Sequence, residues 1–198
     1  MLSKLNRVKK GEKGFTLIEL LVVAAIIGIL LAIAIPNLIK ARMSANEASA
    51  RKSMQTLRDA EGEYFEQDLD DQGGRDFTDL IGTSGTAHSL RDPGGTSAEE
   101  DALIDSTFEG ALGAPCTDPK AGYCIQSDFT DSTGAAFTPN ASGGFDDFGW
   151  ENSMSSFNKT GRRDFAIYGD GAIRCVVSTS ATGAPGTFET DRTSPGCD

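Results

Sequence analysis

Gly14-Phe15-Thr16-Leu17-Ile18-Glu19-Leu20-Leu21-Val22-Val23 sets a carboxylate inside an apolar run that continues to Ile35 and is interrupted only by Thr16 and Glu19. As a helix rising 1.5 Å per residue, Phe15 to Ile35 covers about 31 Å, close to the roughly 30 Å hydrocarbon core of a bilayer. An ionisable acid at that depth costs about 2.5 to 3.5 kcal/mol on insertion scales. The reading of this stretch therefore turns on what Glu19 is for, and a bare anchor needs no acid.

The flanks extend the reading. Residues 1–14 hold Lys4, Arg7, Lys9, Lys10 and Lys13 against Glu12 alone. A basic flank before a span places the N-terminus in the cytoplasm and everything after Ile35 outside. An ordinary secretory signal would end in a small-residue cleavage site after its apolar region; here Ala25, Ala32 and Ala34 lie inside the run and no break follows. Pro36 cannot donate a backbone hydrogen bond and disfavours helical geometry at Ile35, so a kink or local melting is expected there. From Asn37 to Phe65 a helical pattern resumes, with Ala50, Met54, Leu57 and Tyr64 on one stripe and Arg51, Lys52, Arg58, Asp59 and Glu63 between them.

Residues 13–42, KGFTLIELLVVAAIIGILLAIAIPNLIKAR, resemble the N-terminus of type IV prepilins and of the related pseudopilins of type II secretion. The matching features are the basic leader ending in Gly14, Phe15 next, Glu19 four residues on, an unbroken apolar segment, and Pro36 at its end. The resemblance implies cleavage between Gly14 and Phe15 by a prepilin peptidase and N-methylation of the new Phe15 amine. It also implies a segment used twice, first as a membrane anchor and then as the core of a helical filament raised by an assembly platform. In such a filament Glu19 would neutralise the N-terminal amine of a neighbouring subunit, and Glu19 and Pro36 are the assembly residues. Truncating one member of a buried ion pair costs about 3 to 5 kcal/mol, so the acid would act as a register device.

The implied organisation is a cleaved basic leader (1–14), a transmembrane and filament-core segment (15–36), an amphipathic second half of the helix (37–70) and a soluble headgroup (71–198). The fold class is α+β, type IV pilin-like: a long N-terminal helix packed on a small C-terminal antiparallel sheet. Residues 71–115, rich in Gly, Ser, Thr and Asp after the Gly73-Gly74 stop, read as a long variable surface loop with one short helix near Ala98–Ile104. Strand signals follow at Tyr123-Cys124-Ile125, Asp164–Tyr168 and Ala172–Val177, the last two joined by a Gly169-Asp170-Gly171 hairpin turn. Three or four strands are expected.

Residues 15–198 carry 13 Lys+Arg against 28 Asp+Glu, a net charge of −15, which argues against a nucleic-acid footprint. All four cysteines, Cys116, Cys124, Cys175 and Cys197, follow the span, on the side where disulfides form, and no CxxC or Cys/His cluster suggests a metal. Three pairings are open; short loops would give Cys116 with Cys124 and Cys175 with Cys197, and the second is similar to the loop of pilin headgroups. No cofactor is expected. Gly144–Glu151 combines acids with aromatics and offers oxygen ligands for calcium, which some pseudopilins hold, but its spacing is not that of an EF-hand; the plainer reading is a turn whose aromatics fill the core. Asn140-Ala141-Ser142 and Asn158-Lys159-Thr160 match glycosylation acceptor patterns and are read as unmodified.

Catalysis has no constellation to rest on. The single histidine, His88, lies in loop composition, and there is no phosphate-binding Gly-Lys-Ser/Thr loop or GxSxG. Three functions remain: a structural subunit of an extracellular pilus of the adhesion, motility and DNA-uptake class; a pseudopilin in a periplasmic filament that drives protein export; or a membrane-anchored exported domain that never assembles. The first two share Gly14 and Glu19, and the third makes Glu19 dispensable.

Overall fold

The structure, a computed structural model, describes residues 14–68, 74–83, 86–96, 101–113, 115–141, 143–178 and 188–197. Residues 1–13 of the leader, Gly73 of the stop signal, 98–100 of the expected short helix and Ser142 of one acceptor pattern lie outside the described residues. The chain divides into two units, Met1–Lys40 and Ala41–Asp198.

The first unit is the opening half of helix α1, Leu17–Gln67. Every side chain from Phe15 to Ile39 is exposed, and the segment is long and apolar enough to cross a membrane. The helix runs through Pro36 without interruption, so the local melting expected there does not occur. Proline forfeits a single hydrogen bond of the ladder, and the turns on either side carry the helix across.

In the second unit the helix is amphipathic for a physical reason. Ala50, Met54, Leu57 and Tyr64 recur at three- and four-residue intervals or their sums, and all four are buried. The helix stops at Gln67, and Asp68 follows with φ +50°, the left-handed conformation that commonly ends helices.

The stripe packs on an antiparallel sheet in the order β1 (Tyr123–Ser127), β2 (Gly149–Met154), β3 (Arg163–Tyr168), β4 (Ile173–Val177). Register sets Trp150 opposite Ile167 and Phe165 opposite Cys175. Strand alternation then turns Tyr123, Ile125, Trp150, Met154, Phe165 and Ile167 into one core with the α1 stripe. The β3–β4 turn closes at Gly171, whose φ of +73° favours a residue without a Cβ; its N–H donates to the Tyr168 carbonyl at 2.8 Å. Gly149 is needed for close approach, since a Cβ there would meet the Asp128 carbonyl and the Tyr168 ring.

Two sequence expectations need correction. In segment 144–151 Phe145, Phe148 and Trp150 are buried, as expected of aromatics that fill the core, but the segment is not a turn throughout: Gly149–Glu151 begin β2, an interior strand. Segment 71–115 is more than a surface loop, because Ile81, Leu90, Ile104, Phe108 and Ala111 are core residues. Among the described residues of this segment the helix is α2, Thr107–Ala111, which follows Ile104; Phe108 and Ala111 are its buried residues. Cys116 bonds to Cys124 and Cys175 to Cys197, with Cα separations of 5.5 and 5.3 Å.

Candidate functional site

The start of α1 is built as a reciprocal cap. Thr16 precedes the first helical residue, and Glu19 is the third residue of the helix. The Thr16 N–H and hydroxyl both donate to Glu19 Oε2, at 2.8 and 2.7 Å, while the Glu19 N–H donates to Thr16 Oγ1 at 3.3 Å. This is the capping-box arrangement, in which two otherwise orphaned backbone donors are satisfied by one another's side chains. Both carboxylate bonds fall on Oε2, and Oε1 accepts no hydrogen bond among the described residues. Phe15, Ile18, Glu19, Val22 and Val23 line one shallow apolar groove, and Phe15 is 89% exposed.

The structure brings together Gly14, Phe15, Thr16 and Glu19. Pro36 sits some five turns further along the same helix and contributes nothing to the cap. Thr16 was not singled out in the sequence reading, although the T-x-x-E pattern at the head of an apolar run was its signal.

A second feature, in the headgroup, had no sequence signal. Glu61 is fully buried on the core face of α1; its Oε1 accepts the Trp150 indole N–H at 2.7 Å and its Oε2 accepts the Thr78 N–H at 3.3 Å. Burial away from water raises its pKa to about 8, against the pull of those two hydrogen bonds, and the nearby Asp79 charge raises it further. On the sheet face turned from α1, Glu151 is raised to about 7 by burial and by Asp128, and Asp164 to about 6 by burial despite its bond from Ser153. Tyr168 donates to both Asp128 and Glu151. Arg192 lies over the Tyr168 ring at 4.6 Å, so the C-terminal segment lies against this polar face.

His88 is exposed, with φ +60°, in the loop expected for it. Of the acids in 144–151, Asp147 pairs with Arg192 at 2.6 Å, Asp146 is exposed and Glu151 is the buried acid above. Among the described residues no group of three or more His, Cys, Asp or Glu is arranged to hold a metal.

The class the fold defines is an α+β protein whose long N-terminal helix opens with a Thr/Glu cap and is apolar enough in its first half to cross a membrane. Residues 9–35 match the prokaryotic N-terminal methylation motif. The chain is similar to the type IV major pilin protein PilA of Myxococcus xanthus, 42% identical over 64 residues, which are 32% of this chain and 29% of that protein. It is also similar to the type IV wide pilus major component PilA4 of Thermus thermophilus, 63% identical over 38 residues, 19% of this chain and 29% of that one. No solved structure matches. The likeness to type IV pilins lies in the N-terminal segment, and the match spans under a third of the length of each of these relatives.

Proposed function

We propose that this protein is a structural subunit of an extracellular type IV pilus, cleaved between Gly14 and Phe15, N-methylated at Phe15, held in the membrane by α1 and then polymerised through it. The observation that carries the reading is the Glu19 carboxylate, fixed on one oxygen by Thr16 and open on the other, in a helix whose apolar side chains are all exposed from Phe15 to Ile39. Lateral packing of such helices buries that surface, and the open oxygen takes the Phe15 amine of a neighbour. Prepilin peptidase and an assembly platform are the partners this route requires, with the membrane as the store of unassembled subunits. Both named relatives are major pilus components, which favours a pilus over a secretion pseudopilus.

Intact mass of the protein from the sheared surface fraction of its own cells tests this. The expected species lacks residues 1–14, carries one extra methyl and has four fewer hydrogens until reduced. The same species found only in the cell envelope would replace the pilus with the pseudopilus, and a full-length unmethylated chain would end the filament reading.

A further inference from the structure

Charge along the headgroup half of α1 is segregated against the helix's own interest. Its earlier part holds Arg42, Arg51, Lys52 and Arg58 against Glu47, while Asp59, Glu61, Glu63 and Glu66 fill its end, and the last turn holds no basic residue. A helix C-terminus carries a partial negative charge and is stabilised by cations, so acids there forgo local stability.

The same division holds in three dimensions. The β2–β3 connection is fastened to the early part of the helix: Asn46 Nδ2 donates to the Thr160 carbonyl at 2.9 Å, the Arg162 N–H to Glu47 Oε1 at 3.0 Å, and Arg163 pairs with Glu47 at 2.8 Å. Lys159 and Arg162 are thereby tied to the early turns of the helix, which also carry Arg42 and Lys52; all four are exposed and without a carboxylate partner among the described residues. By contrast Arg58, Arg91, Lys120, Arg163, Arg174 and Arg192 are each paired with an acid. Arg51 and Arg75 likewise have no ion pair among the described residues, but Arg42, Lys52, Lys159 and Arg162 are the exposed cations gathered on the early turns of the helix and the connection tied to them. Glu63 and Glu66 are exposed on the same helical face as Lys52, about 16 to 21 Å further along the axis. Beside them a cleft of about 450 Å³ is lined by Glu63, Gln67 and Asp101.

We propose that this charged face is a contact between copies: the Arg42/Lys52/Lys159/Arg162 end of one headgroup docks on the Glu63/Glu66/Asp101 end of another. The inference rests on the filament reading and adds to it the surface that sets axial order outside the apolar core. Two different patches meet, so the contact is head-to-tail, the kind that a filament can repeat from copy to copy instead of ending in a two-fold pair. Because each headgroup is strongly acidic overall, opposing unlike ends converts a repulsion into a directional preference.

The test uses the full-length chain in cells, with sheared filament and membrane-held processed subunit measured together. Glu63→Lys with Glu66→Lys places cations where the helix dipole favours them, so the headgroup melts no lower than wild type while sheared filament falls about tenfold or more. Adding Lys52→Glu and Lys159→Glu to that chain exchanges the two ends and restores filament to within about threefold of wild type. Wild-type yield from the Glu63/Glu66 variant overturns the interface while leaving the filament reading intact. A four-site chain no better than the two-site one also overturns it, and assigns the cations to another partner such as anionic lipid. A wild-type chain that never appears in sheared filaments overturns the filament reading and this contact with it.

Discussion

At Glu19 both recorded hydrogen bonds on the carboxylate come from Thr16, so capping and charge can be separated by substitution. Glu19→Gln keeps an acceptor for the Thr16 N–H and removes the charge. Sheared filament is expected to fall more than tenfold with processing unchanged, since about 1.4 kcal/mol is tenfold and an uncompensated buried charge costs about 3 to 5 kcal/mol. Wild-type filament from this variant would reduce Glu19 to a helix cap. At Glu61 the same residue type is held with the opposite polarity. Its proton is bound more tightly in the folded state, near pH 8, than at the ordinary value of 4.5. Stability is therefore complete below about pH 4.5, declines as pH rises toward 8 and is level above it. Glu61→Gln should raise stability at pH 8 by about 1 to 3 kcal/mol and remove most of the decline between pH 7 and 8, as read by urea unfolding. Part of the slope below pH 7 should remain, because Glu151 and Asp164 titrate in the same sense. An unchanged slope would mean that Glu61 is solvated or paired in solution.

Among the elements, the ones visible in sequence were those whose pattern was one-sided. The long helix announced itself through an apolar run followed by a three-to-four repeat, and the β3–β4 hairpin through Gly169-Asp170-Gly171 between β-branched and aromatic residues. Strand β2 did not, because Gly-Trp-Glu-Asn-Ser-Met is buried on both faces yet only half apolar. Its second face meets Tyr168 and, through Arg192, the C-terminal segment, a contact between distant parts of the chain that no local period encodes. Glu61 was hidden for a like reason: an acid between Ala60 and Tyr64 reads as solvent-facing until Trp150 is placed opposite it. The Thr16–Glu19 cap was legible in full and was passed over because the acid drew attention to partners outside the chain. The disulfides close loops of different length, with sequence separations of 8 and 22. Chain-entropy arguments assign about 2.5 kcal/mol to the shorter and about 3.4 kcal/mol to the longer. Serine pairs at 175/197 should accordingly lower the urea midpoint more than serine pairs at 116/124; the reverse order would show that the shorter loop holds α2 to β1 enthalpically.

For the whole molecule, the division at Lys40 separates two kinds of surface. Among the described residues, all of the exposed large apolar side chains but Leu80 and Val177 lie between Phe15 and Ile39, whereas the buried core lies within Ala41–Asp198. A chain of residues 41–198 is expected to be soluble without detergent and to unfold in one cooperative transition that coincides by circular dichroism and by amide exchange. Separate transitions would show that the core needs the first half of α1. The placement of Trp150 gives this fold an optical property of its own. It is the chain's only tryptophan, wholly buried, with its indole N–H bound to Glu61, a carboxyl whose pKa burial raises. Ultraviolet emission therefore arises from one site at the junction of helix and sheet. Its intensity and colour should follow both unfolding and the ionisation of Glu61, without a label, in a free subunit and in an assembled fibre alike.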